Sequence, residues 1–170
     1  VTGWADRVAA RLDAVRGAGR WRSVRSLDGR LPEVRLDGAE VVSFASNDYL
    51  GFAAHPEVTA AAHEALDRWG TGTGASRLVV GARPVHAELE QELAAWKGPA
   101  AALLLPTGYM ANLATLATLA DGPEVLVVSD ELNHASIVDG CRLASARTFV
   151  YDHCDTDHLE WGLREAGGRG

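Results

Sequence analysis

Residues 124–151 read EVLVVSDELNHASIVDGCRLASARTFVY. A short apolar run, Val125–Val128, is followed by a helical stretch, Ala135–Leu143, and then by a second short run, Thr148–Tyr151. Two apolar runs joined by a helix predict parallel strands buried on both faces, the βαβ unit of an α/β fold. The same alternation extends to both sides. Ala101–Leu105 predicts a strand, Tyr109–Ala120 a helix and Thr156–Ala166 another helix.

Further upstream the pattern differs. Trp4, Val8, Leu12 and Val15 fall on one face of a helix over 4–16, which Gly17 and Gly19 stop. Asp37-Gly38 sits between two strand-like runs, Glu33–Leu36 and Val41–Ala45, and predicts a two-residue hairpin turn. Pro56 opens a helix to Trp69, broken by Gly70-Thr-Gly-Thr-Gly74, and Pro84 opens another to Trp96. Residues 1–45 therefore read as a helix and hairpin segment, and 46–170 as the first part of a larger α/β domain. Three parallel strands leave an open sheet edge, so the chain is expected to be part of a longer polypeptide.

Composition narrows the partners. The 170 residues are 47% apolar and 23% charged, and carry a net charge of −7. That balance speaks against nucleic acid as the main partner, which needs clustered Lys and Arg. The longest apolar stretch, near Ala100–Leu105, is too short for a bilayer. Cys141 and Cys154 lack a paired motif and read as reduced thiols of a cytoplasmic protein. Asp152-His153-Cys154-Asp155-Thr-Asp157-His158 is rich in ligand types but matches no closed zinc spacing. Helix capping by Asp155 or Thr156 explains it better, so no metal is expected.

Three stretches carry candidate chemistry. Pro106-Thr107-Gly108-Tyr109 joins a strand to a helix, where backbone N–H groups and the helix dipole favour a phosphate. An ordinary strand-to-helix turn would look the same. Gly70–Ser76 follows a helix and lacks GK[ST], so it is neither a dinucleotide fingerprint nor a P-loop. It reads as a backbone-exposing loop beside a ligand, or as a linker. His134, just past a strand, is open to reading as ligand, base or platform.

Taken in order, SFASNDYLGFAAHPEV (43–58), GTGASRLVVGARPVHAELEQELAAW (72–96), LLLPTGYMANLATLATL (103–119) and SDELNHASIVDGCRLASA (129–146) resemble the α-oxoamine synthases. These are pyridoxal-phosphate enzymes of the aspartate-aminotransferase fold (fold type I). They condense an amino acid with an acyl thioester and release carbon dioxide. The Gly74–Leu78 run is most similar to the branch that joins L-alanine to pimeloyl-CoA, or its carrier-protein equivalent, in biotin synthesis. Glycine C-acetyltransferase and 5-aminolevulinate synthase are sibling alternatives. A non-catalytic partner that dimerises or binds CoA is an alternative of another class.

The resemblance implies pyridoxal 5'-phosphate as cofactor, held at its phosphate by Thr107, Gly108 and Tyr109. It implies that the His134 ring stacks on the cofactor and acts in catalysis. Arg22, Asn47 and Ser76 are implied at the substrate, with Ser76 near the interface of a homodimer that shares its active sites. The family's Schiff-base lysine lies downstream of everything in this chain. Lys97, the one lysine present, ends an amphipathic helix and is not expected to replace it.

Overall fold

In a computed structural model that describes residues 3–167, Asp37 and Gly38 take φ angles of 53° and 83°. Two successive positive φ values make the turn whose twist matches paired strands. It joins β2 (Glu33–Leu36) to β3 (Ala39–Val42), with Leu36 opposite Ala39. A short strand absent from the sequence reading, β1 (Leu27–Gly29), pairs antiparallel with the other side of β2. Val34 on the central strand is buried. The helix before this sheet, α1 (Trp4–Gly17), forms where periodicity placed it, yet Trp4 remains 76% exposed.

After the sheet, α2 (Pro56–Trp69) ends at Gly70, whose N–H donates to the Leu66 carbonyl at 2.8 Å. The glycine loop then runs into a single π-turn at Arg77–Gly81, closed by Gly81 N–H on the Ser76 carbonyl at 2.9 Å. A Cβ on Gly81 would collide with the Ala75 carbonyl, so glycine is required there. The chain divides into two compact units between Gly81 and Ala82.

In the second unit α3 (Pro84–Lys97) starts on proline and stops at Gly98, which is left-handed at φ 86°. Next come α4 (Gly108–Leu119), β4 (Leu126–Asp130), α5 (Ala135–Leu143), β5 (Arg147–Tyr151) and α6 (Thr156–Gly167). β4 and β5 pair in parallel, from Leu126 opposite Arg147 to Asp130 opposite Tyr151. The predicted βαβ unit is therefore present.

The strand expected at Ala101–Leu105 is a correction. Its backbone joins no ladder among the described residues, and Leu104 N–H donates to Glu90 Oε1 at 2.7 Å. An apolar run predicts burial, whereas a strand also needs a neighbour to complete its hydrogen bonds. The expectation about the chain end rests partly on Gly168–Gly170, which lie outside the described residues.

Helices α4 and α5 lie side by side in the same direction, with Asn112 beside Ser136 and Leu116 beside Gly140. Gly140 is buried, and a Cβ there would stand 2.7 Å from Leu116 Cδ1 and 3.3 Å from the Asn112 carbonyl oxygen, so glycine allows the close approach. Gly140→Ala is expected to cost about 1–3 kcal/mol by overpacking this contact. A thermal scan of the full-length variant checks it, and an unchanged melting temperature would mean the contact is loose.

Candidate functional site

Thr107 caps α4. Its backbone is extended, and its Oγ accepts the Met110 N–H at 3.1 Å. The Thr107 carbonyl takes the Ala111 N–H at 3.0 Å. The N–H groups of Gly108 and Tyr109 open the helix and have no acceptor within its first turn. Gly108 faces open space, since a Cβ there would meet nothing within 4 Å. Two N–H groups with no acceptor among the described residues, the positive end of a helix dipole and an unobstructed approach suit an anion such as a phosphate.

His134 caps α5. Its Nδ1 lies 3.2 Å from the Ser136 backbone N–H and 2.7 Å from Ser136 Oγ. A backbone N–H can only donate, so Nδ1 is the acceptor and the ring proton sits on Nε2. Ser136 Oγ in turn accepts from Asn112 Nδ2 at 2.9 Å, which leaves the hydroxyl proton directed at Nδ1. Ser136 is fully buried at 0% exposure. The result is a fixed imidazole, tied back through Nδ1, with an Nε2–H donor turned away from the helix. The loop before it is also anchored: Asn133 Nδ2 donates to the buried Ser129 Oγ at 3.0 Å.

Because α4 and α5 run in the same direction, the Thr107–Tyr109 amides and His134 occupy the same end of the helix pair. A second link crosses that pair. Tyr109 OH donates to Asp139 Oδ2, and Arg142 donates to Asp139 Oδ1 at 3.2 Å. The Tyr109 hydrogen bond, aided by the Arg142 guanidinium, holds the Asp139 carboxyl below the usual carboxylate range. The same bond raises the Tyr109 phenol, because ionising it would lose the donor proton and face a carboxylate. Tyr109 phenolate is therefore expected only at a pH above that of an ordinary tyrosine. Ultraviolet titration, differenced against Tyr109→Phe, checks this; Asp139→Asn should bring the transition back down.

The remaining candidates lie in the first unit. Arg22 is exposed in the loop after α1, Ser76 ends the glycine loop, and Asn47 is exposed with its Oδ1 3.4 Å from Tyr49 OH. No hydrogen bond joins these three among the described residues. Beside Asn47, Asp48 is the turn-forming residue that the Asn47-Asp48 pair predicts. Its carboxylate accepts from Phe52 N–H at 2.8 Å and from Ala53 N–H, capping the 3₁₀ turn Phe52–Ala54. An Asp four residues ahead of a short helical turn was the available signal.

A model of the aminotransferase class I and II family matches residues 39–170. The 8-amino-7-oxononanoate synthase of Geobacter sulfurreducens is 48% identical over 164 residues, covering 96% of this chain and 42% of that protein. The enzyme of the same name from Thermoanaerobacter pseudethanolicus is 41% identical, covering 94% and 40%. The chain thus spans about two fifths of the length of the curated relatives it matches.

Among solved structures, a serine palmitoyltransferase from Sphingomonas wittichii superposes with a TM-score of 0.80 at 31% identity, covering 94% of this chain and 40% of that one. The 8-amino-7-oxononanoate synthase of Francisella tularensis gives 0.58 at 27% identity, covering 69% and 32%. The fold is thus the N-terminal part of the fold type I architecture of pyridoxal-phosphate enzymes. With the family model matched from the hairpin through the last helix, this chain belongs to the aminotransferase class I and II family.

Proposed function

We propose that the protein carrying this chain condenses L-alanine with pimeloyl-CoA, or pimeloyl-carrier protein, and releases carbon dioxide and the free thiol. That is the 8-amino-7-oxononanoate synthase reaction of biotin synthesis. The observation that carries the reading is the single end of the α4–α5 pair, where two open amides and a fixed imidazole sit together. Those residues fit pyridoxal 5'-phosphate: Gly108 leaves room for a phosphate at the helix N-terminus, and the exposed His134 ring offers a flat face. When bound, the cofactor supplies an electron sink for the charge left at the amino-acid α-carbon.

The chain's own groups have distinct tasks in this proposal. Thr107 fixes the first turn of α4, and the Gly108 and Tyr109 amides orient the phosphate. His134 stacks its ring and presents Nε2–H to the substrate carboxylate. Arg22, Asn47 and Ser76 line the substrate side, with Ser76 close to a partner copy in a homodimer. Residues 46–170 form the first part of the cofactor domain, and the protein works in the cytoplasm; no described helix is long and apolar enough to cross a membrane. Lys97 stays outside the chemistry, since its Nζ lies 4.2 Å from the Trp96 ring centroid at the end of α3. The lysine that holds the cofactor comes from outside these 170 residues.

Incubating the full-length protein with L-alanine and pimeloyl-CoA tests the reading, with thiol release as the signal. Glycine with acetyl-CoA or succinyl-CoA, and serine with palmitoyl-CoA, are the competing pairs. Release with one of those and not with alanine would reassign the substrate; release with none would reject the condensation.

A further inference from the structure

The acidic, histidine-rich stretch after β5 only partly serves as a helix cap. Asp155 does cap α6, its Oδ1 accepting the His158 N–H at 2.8 Å, and the Asp152 N–H donates to His158 Nδ1 at 3.2 Å. His153 and Cys154 face a different partner, which local spacing could not reveal. Asp130 ends β4 opposite Tyr151 in the parallel register, so the two strand ends bring it beside His153 and Cys154.

The Asp130 carboxylate is held by several donors. Leu132 N–H reaches Oδ1 at 2.8 Å and Cys154 N–H reaches Oδ2 at 3.3 Å. His153 Nδ1 lies 2.9 and 3.1 Å from the two oxygens. An ionised carboxylate can only accept, so the His153 proton is on Nδ1 and Nε2 presents a lone pair. This is the opposite tautomer from His134.

Cys154 Sγ lies 3.4 Å from His153 Nε2. A zinc-type ion binds histidine nitrogen at about 2.0–2.1 Å and cysteine sulfur at about 2.3 Å, so a tetrahedral angle separates the two ligand atoms by about 3.5 Å. The observed spacing, which is also the length of a Cys154 S–H···Nε2 hydrogen bond, matches the ligand separation a chelate needs. A histidine whose second nitrogen donates to a carboxylate is also the arrangement that orients metal-bound imidazoles. Both side chains are open to solvent, His153 being 51% exposed, and the ligand atoms of all three residues lie within 4.8 Å of one another.

We propose that Asp130, His153 and Cys154 form a binding site for a borderline divalent cation of the zinc type. His153 Nε2 and Cys154 Sγ are the ligands, Asp130 orients the imidazole, and water fills the remaining positions. Binding releases the thiol proton to solvent. Its three residues are none of the cofactor contacts proposed above, and the site does not depend on the substrate assignment.

The test uses the full-length protein stripped of metal and alkylated with iodoacetamide, with and without zinc. Mass spectrometry follows the Cys154 peptide, and the buried Cys141 reports whether the fold is intact. Zinc should slow Cys154 alkylation, and Asp130→Asn should raise the zinc concentration needed by about 10- to 100-fold. His153→Gln should abolish protection; if that variant exposes Cys141, Asp130→Asn decides alone. Alkylation unaffected by zinc, protection that survives His153→Gln in a folded protein, or a Cys154 that reacts only after unfolding would overturn the site.

Discussion

Replacing His134 with alanine in the full-length protein is expected to lower kcat/KM about 10²–10³-fold, the usual effect of removing one pre-aligned hydrogen-bond donor from an active site. The same residue also caps α5, so loss of activity alone would not separate chemistry from folding. His134→Asn does separate them. Asparagine is among the best N-cap residues, whereas alanine costs about 1 kcal/mol at such a position. Both variants should lose the ring face and the Nε2–H donor, and both should lose activity. Only His134→Ala should also melt earlier. Cofactor affinity should fall in both, read as a rise in the concentration needed to saturate the visible absorbance. An asparagine variant that keeps most of its activity would assign His134 to helix capping and remove it from the site.

Much of this arrangement was legible in the sequence because it depends on local pattern. Asp37-Gly38 specified its turn, prolines and glycines marked the ends of α2 and α3, and the 124–151 stretch produced its βαβ unit. What escaped is non-local. Residues 101–105 have the composition of a strand, but composition does not supply the neighbouring ladder. Ser136 reads as a small helix-start residue until Asn112, 24 positions upstream, is placed beside it. One clue was present: Asn112 is an isolated amide in the otherwise apolar YMANLATLATL, and a buried amide needs a partner. Asp130 and His153 were likewise separated by a helix, so their pairing appears only once β4 and β5 are in register. Arg22, Asn47 and Ser76 came from family resemblance, and no hydrogen bond among the described residues links the three.

The buried serine leads to the second large effect. Ser136→Ala is expected to leave the fold in place but lower kcat about 10- to 100-fold, the scale of a small misplacement of a catalytic group. Ser136 touches neither open space nor the proposed cofactor face; it acts through His134. Without the hydroxyl, Nδ1 keeps only the backbone N–H at 3.2 Å, and the half-buried Asn112 Nδ2 loses its Ser136 partner. Losing that hydrogen bond costs about 0.5–1.5 kcal/mol, which the site can relieve by letting the Asn112 side chain turn. That relief loosens the imidazole. Nitrogen-15 spectra of labelled histidine should show His134 as the Nε2–H tautomer in the parent protein and as a mixture in the alanine variant. Ser136→Thr restores a hydroxyl at the same place and should recover the single tautomer along with most of kcat. A merely structural role would lower the melting temperature while leaving the tautomer and kcat unchanged, and that result would break the link between the serine and the ring it holds.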